Sequence, residues 1–271
     1  MMSRLGANLA ACLGLGLMAG IVLLAVVGPF VHRTDPWSRE GNRFEPPGGR
    51  FALGTDHQGR DVLAGLLVGA KSSLLVGVAA TAVILLIGLT VGIAAGYRGG
   101  WLDETLMRIT EFFQILPAFL FAMVVVAIFS PWIWTIVLAI GASNWAGTAR
   151  IIRAQFLSLR ERDYVLAARA LGVGDLRIIV REILPNALPP VIVNASLTVG
   201  VAILFEAGLS FLGLADPNVM SWGYMIGASR TFLRDAWWPV TFPGLAIFAS
   251  VLALSLVGDW LNDVLNPRSK E

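Results

Sequence analysis

Residues 112–149 contain no charged side chain, and between Arg108 and Arg150 the single exception is Glu111. A helix rises about 1.5 Å per residue, so roughly 20 apolar residues cross about 30 Å of hydrocarbon, and this run is nearly long enough for two crossings. Backbone polar groups in lipid must be satisfied inside a helix or a closed barrel. No series of roughly ten-residue alternating strands occurs, so the sequence predicts an all-α integral membrane protein. Composition agrees: 14% of the 271 residues are charged, against about 25% in an ordinary soluble domain.

Counting uncharged runs predicts six transmembrane helices. The first, Leu9–Val31, is too long for the apolar core of a signal peptide and is followed by no small-x-small cleavage site, so it is expected to remain as a helix. The second lies between Lys71 and Arg98. Ser130-Pro131 divides the long run into spans three and four, a tight hairpin, and Pro117 is expected to kink span three. Span five covers about 188–205 and extends toward Leu214 through Glu206, and span six covers 236–258. Gly88, Gly92 and Gly96 recur every four residues on one face of span two. This spacing admits close helix packing, within the chain or between subunits. The expected division is 1–71, an N-terminal helix with an external loop, and 72–271, a core of five helices with a cytoplasmic loop at 150–187.

Arginine placement orients the spans. The segment 150–182 carries seven arginines against four acids, and both termini are basic, so all three should be cytoplasmic. The loop 32–71 then lies outside, although its six basic and five acidic residues bias it little. Its Pro46-Pro47-Gly48-Gly49 run predicts irregular loop. The net charge of +2 is small and its basic residues flank spans, which argues against a nucleic-acid partner and for membrane lipid.

Enzyme chemistry finds no anchor. Gly69-Ala70-Lys71-Ser72 lacks the glycine before lysine that a phosphate-binding loop requires, and neither His-Glu-x-x-His nor Gly-x-Ser-x-Gly occurs. One cysteine, Cys12, and two histidines, His32 and His57, exclude a disulfide framework and a histidine cluster. The sequence therefore offers no catalytic, cofactor-binding or metal-binding residues. An ion channel would need polar rings along a pore, and the intramembrane charges are too few to draw them.

Two features remain. Within the cytoplasmic loop, 163–171 suits a short helix, 172–174 a break, and Asp175 the cap of a second helix that Pro185 and Pro189-Pro190 end. Ala167, Ala168 and Ala170 permit close docking against the first helix, with Arg169 at its rim. The other feature is Glu206, about 27 Å along span five from Leu188. A charge in that position normally finds a partner inside the bundle. It is either a hydrogen-bonded strut or part of a gate or cargo path near the outer boundary, where water could reach it.

The loop resembles the EAA loop of ABC importer permeases, whose pattern is Glu-Ala-Ala, three residues, Gly, nine residues, Ile, one residue, Leu-Pro. Ala167, Ala168, Gly172, Leu184 and Pro185 match in register, whereas Leu166 stands for the glutamate and Glu182 for the isoleucine. LGTDHQGRDVL (53–63), GYRGGWLDETLMR (96–108), LSFLGLADPNVMSWGYMI (209–226) and FPGLAIFASVLALSLVGDWLNDVLNPR (242–268) are similar, in order, to the dipeptide/oligopeptide/nickel branch, above all to its second permease. The resemblance implies a type I ABC importer permease fold in a bacterial inner membrane, with both termini cytoplasmic. It implies as partners a homologous second permease, two cytoplasmic ABC ATPases that bind ATP and Mg, and an extracytoplasmic substrate-binding protein. A coupling helix is implied at about 164–171, so that Tyr164, Ala167, Ala168, Arg169, Leu171, Gly172, Leu184 and Pro185 would meet an ATPase. The implied cargo is short peptides, with nickel, a nickel chelate or glutathione as alternatives.

Overall fold

The computed structural model describes residues 9–265. In chain order the α-helices are α1 Leu9–Val31, α2 Val62–Arg98, α3 Gly100–Ile115, α4 Ala118–Phe129, α5 Ile133–Leu159, α6 Asp163–Ala170, α7 Asp175–Phe211, α8 Trp222–Ser229 and α9 Trp238–Leu265. Among the described residues, β-pairing is confined to the isolated bridges Gly48–Phe51 and Thr55–Asp61. The expectation of an all-helical chain holds.

Four helices, α1, α2, α7 and α9, are long and apolar enough to cross a membrane, and α3 with α4 makes five if the bent pair is one span. The expected six are therefore not all met by length and composition. The difference lies in α5, which mixes Ser143, Asn144, Thr148 and Arg150 into its apolar residues. Of these, Thr148 is covered by α2 at Gly88, in the most extensive helix pairing of the fold, whereas Arg150 is exposed. Glycine makes that approach feasible. A Cβ added at Gly88 would lie 2.8 Å from Thr148, at Gly92 2.6 Å from the Ala149 carbonyl, and at Gly96 2.6 Å from Phe156. The stripe thus serves packing within the chain rather than a subunit interface.

Other expected boundaries move. Lys71 does not open span two but lies inside α2, which begins at Val62 with Asp61 accepting from the Leu63 amide as its cap. Proline clashes with a preceding residue in helical geometry, and Leu116 accordingly sits extended at φ −68°, ψ 130°. Pro117 thereby breaks span three into α3 and α4, which meet at 85°; this is a larger effect than the expected kink. Ser130-Pro131 does make the turn before α5. Prolines 185, 189 and 190 do not end the second helix expected in the loop 150–187, which continues through them as α7. The backbone widens first: 178–183 is a π-helical stretch in which the Leu184 amide reaches back to the Ile179 carbonyl. That wider turn precedes Pro185, which lacks a donor. The same helix carries span five to Phe211, short of Leu214.

At about 1.5 Å per residue α2 is about 55 Å long, and it separates two polar ends. At its start, 32–61 forms an irregular cap. Thr55 is fully buried there, donating to the Asn42 carbonyl and accepting from the Glu45 amide, while Trp238 Nε1 donates to the Thr55 carbonyl. The Pro46–Gly49 run is irregular as expected. At the other end Arg153 clamps Asp103 with two hydrogen bonds of 2.5 and 2.7 Å, tying α3 to α5. Arg160 donates to the Gly96 carbonyl at 3.1 Å, where the last turn of α2 leaves acceptors without helical partners.

Candidate functional site

The short helix α6 is amphipathic over only two turns. Val165, fully buried, and Ala168 pack into a cluster with Tyr97, Ile152, Phe156, Ile178 and Ile183, which come from α2, α5 and α7. Asp163 in the first turn and Arg169 in the last suit the helix dipole. The outward face carries Tyr164, Leu166 and Ala167, all exposed. Ala168, grouped with Ala167 and Ala170 by sequence, is turned toward the chain's own core; Ala167 and Ala170 face out.

Gly172 closes the helix. Its φ of +75° lies in the left-handed region, with the Gly172 amide bonded to the Arg169 carbonyl and the Val173 amide to the Ala168 carbonyl. These two bonds define a Schellman stop, and glycine is favoured there because a side chain would strain that backbone. A Cβ at Gly172 would meet nothing within 4 Å, so space is not the reason for it. Asp175 does not cap the second helix; Gly174 occupies the cap position without a side-chain bond. The Asp175 carboxylate instead accepts from the Tyr97 hydroxyl at 2.6 Å, and the Arg169 guanidinium lies 5.2 Å from the Tyr97 ring centroid. Tyr97 thus contacts both α6 and α7 from the end of α2.

Around α6 the surface is apolar. Leu171 is 83% exposed, Leu176 76% and Val180 50%, although they stand among Arg169, Arg177 and Arg181. Single exposed apolar residues need no explanation, but Tyr164, Leu166, Leu171, Leu176 and Val180 occupy one short loop unit. Leu184 packs into the cluster beneath, and Pro185 is exposed in the first turn after the π-helical stretch. Sequence reasoning missed Tyr97, Leu176 and Val180. The available signals were a tyrosine at the end of an apolar run and two apolar residues one turn apart in a charged loop.

Glu206 lies at the opposite end of α7 from this surface. It is buried at 3% exposure, against the expectation of a position that water reaches. Its Oε1 accepts from Ser210 at 2.9 Å and from Ser221 at 2.7 Å. Ser221 in turn caps α8 by accepting from the Tyr224 amide. The fold closes over the carboxyl because Gly223 has no side chain: a Cβ there would lie 2.8 Å from Oε2.

Comparison with known proteins agrees with this architecture. Residues 88–271 match the family described as binding-protein-dependent transport system inner membrane component. The chain is 38% identical over 269 residues to the dipeptide transport system permease protein DppC of Alkalihalophilus pseudofirmus, covering 98% of this chain and 88% of that one. It is 40% identical over 266 residues to the di/tripeptide transport system permease protein DppC of Pseudomonas aeruginosa, covering 95% and 88%. To the oligopeptide transport system permease protein OppC of Bacillus subtilis the identity is 36% over 273 residues, covering 100% and 89%. Among solved structures, an inward-facing form of the MetNI methionine ABC transporter is similar in fold, with a TM-score of 0.59 at 19% identity, covering 74% of this chain and 96% of that one. The chain belongs to the family of binding-protein-dependent transport system inner membrane components.

Proposed function

We propose that this chain forms half of the translocation path of an ATP-driven importer of short peptides, and that α6 with its flanks is where an ATPase subunit delivers its stroke. The carrying observation is the exposed apolar group Tyr164, Leu166, Leu171, Leu176 and Val180, borne by α6, its C-terminal turn and the start of α7, with α6 itself locked to α2, α5 and α7. A coupling element has to be sticky on one side and rigid on the other, because work is transmitted only if docking survives the movement. The peptide cargo is supported by the names of the relatives above, which favour it over nickel or glutathione.

In this reading the chain crosses the membrane six times. The crossings are α1, α2, the broken pair α3 and α4, α5, α7 and α9, with both termini in the cytoplasm of a bacterium. The N-terminal 1–71 is an added helix and external cap on a five-helix unit of 72–271, with the seam inside α2. A homologous permease completes the path, an external binding protein supplies cargo, and two ATPases hold ATP and Mg. Catalysis resides in those partners. Leu171 tests the docking surface without disturbing the fold, since most of its side chain is exposed. In a co-expressed complex, Leu171→Asp should leave the chain inserted but reduce recovery of the ATPases and abolish dipeptide uptake into proteoliposomes. Undiminished ATPase recovery and uptake in that variant would remove the docking assignment.

A further inference from the structure

A cleft of about 690 Å³ opens between α3 and α5, lined by Thr110, Glu111, Gln114, Gly147, Arg150 and Arg153 among others, with the Glu111 carboxylate paired to Arg108 at 3.1 Å. Its wall is unlike the exposed faces of α1 and α4, where the large exposed side chains are apolar, among them Leu23 and Val124. Here an arginine and a glutamine face outward at the depth where the apolar part of α5 ends. Arg150 donates through Nη1 to Gln114 Oε1 at 2.8 Å, and among the described residues no other hydrogen bond or ion pair engages its guanidinium. Arg153, by contrast, is held by Asp103.

Gly147 is the second observation. A glycine inside a helix costs about 1 kcal/mol relative to alanine, and the glycines of α2 offset that cost by admitting α5. Gly147 admits nothing among the described residues: a Cβ there would meet no atom of them within 4 Å, and the residue has ordinary helical φ. It sits three residues before Arg150, and so on the same face of α5. An open glycine beside an under-used guanidinium leaves room for something anionic to approach the helix closely.

We propose that this cleft is a wall of the translocation path and that Arg150, positioned by Gln114, receives the C-terminal carboxylate of a peptide on its way to the cytoplasm. The inference rests on the peptide-import reading above and assigns a cargo contact within it. A planar guanidinium pairs with a carboxylate through two parallel hydrogen bonds, and one Nη held by Gln114 leaves an edge for that pairing. Lipid phosphate and a carboxylate of the second permease share this chemistry, and the test separates them.

The experiment uses the complete importer in proteoliposomes with Cys12→Ser and Gly147→Cys in this chain, partner thiols blocked beforehand. Uptake of Ala-Ala by the Cys12→Ser parent establishes that the import reading stands, whatever the cleft does. During turnover, a charged methanethiosulfonate reagent should label residue 147, and saturating Ala-Ala should slow labelling about tenfold. Ala-Ala amide should protect much less, and Arg150→Gln should abolish the protection by Ala-Ala while labelling persists. Absence of labelling would mean that lipid or the second permease fills the cleft, and labelling indifferent to Ala-Ala would mean that water alone does. Equal protection by the amide would take the carboxylate role from Arg150. Each of these three results overturns the proposal.

Discussion

Tyr97 and Asp175 lie 78 positions apart and share a 2.6 Å hydrogen bond, hydroxyl to carboxylate, that joins the last turn of α2 to the first turn of α7. Because Arg169 of α6 rests over the same ring, one aromatic side chain registers three helices at the end of the molecule where α6 presents its apolar face. Tyr97→Phe removes the hydroxyl but keeps the ring, so the Arg169 contact and the packing survive. A hydrogen bond to a charged group contributes roughly 1.5–3 kcal/mol when sheltered, and the exposure of Asp175 brings this nearer 1 kcal/mol, about a factor of five in an equilibrium. The expected outcome is ATP hydrolysis within twofold of wild type with peptide uptake per ATP reduced about fivefold. An unchanged uptake-to-ATP ratio would show that the bond does not serve coupling.

At Gly172 the backbone, rather than open space, sets the requirement. A β-branched residue at φ +75° is strained by roughly 1–2 kcal/mol, whereas asparagine tolerates the left-handed region. Gly172→Val should therefore fray the Schellman stop and reduce uptake about tenfold with normal membrane insertion, while Gly172→Asn should stay within about threefold of wild type. Equal loss in the two variants, measured by dipeptide uptake in matched proteoliposomes, would point to bulk at the docking face instead.

Much of the molecule was legible because lipid and backbone chemistry are strict. The helices around Leu9–Val31 and 236–258, the turn at Ser130-Pro131 and the glycine stripe of α2 all follow from length, proline and the absence of side chains. What was not legible depended on partners distant in sequence. Nothing local reveals that α2 covers Thr148 of α5, or that Asp175 serves Tyr97 rather than the end of its own helix. The prolines at 185, 189 and 190 misled for a related reason: a π-helical turn and tertiary packing absorb missing donors that would end an isolated helix. Within the candidate site, Ala167 and Ala168 look alike in sequence, and only the buried cluster around Val165 distinguishes outward from inward.

Topology admits a direct check. Arg160 bonds to carbonyls of Gly96 and Tyr97, while the cap containing Gly49 surrounds the start of α2. Pro217 belongs with that cap end, since its neighbour Asp216 accepts from the Ile133 amide at the start of α5. In a Cys12→Ser background, cysteines at 49 and 217 should react with an impermeant maleimide on intact cells, and a cysteine at 160 only after permeabilisation. Reaction at 160 but not at 49 would invert the orientation.

Glu206 separates a structural from an electrostatic role. Both of its hydrogen bonds converge on Oε1, from hydroxyls of Ser210 and Ser221, and they tie α7 to the cap of α8. Among the described residues Oε2 has no hydrogen-bond partner, and no cation pairs with the carboxyl, so the geometry uses Glu206 as an acceptor and makes no visible use of a charge. Glutamine preserves the acceptor for both serines, and its amide nitrogen replaces Oε2, itself already without a partner among the described residues, so no hydrogen bond is lost. Leucine leaves two buried hydroxyls without an acceptor, and each unsatisfied group costs about 1–3 kcal/mol. Glu206→Gln should therefore transport cationic and anionic dipeptides at wild-type rates, with a melting temperature close to that of the parent complex. Glu206→Leu should melt several degrees lower and accumulate less in the membrane. If Glu206→Gln melts normally yet loses uptake, and loses it more for cationic than for anionic cargo, the carboxylate acts through its charge and the strut is the lesser part of its role.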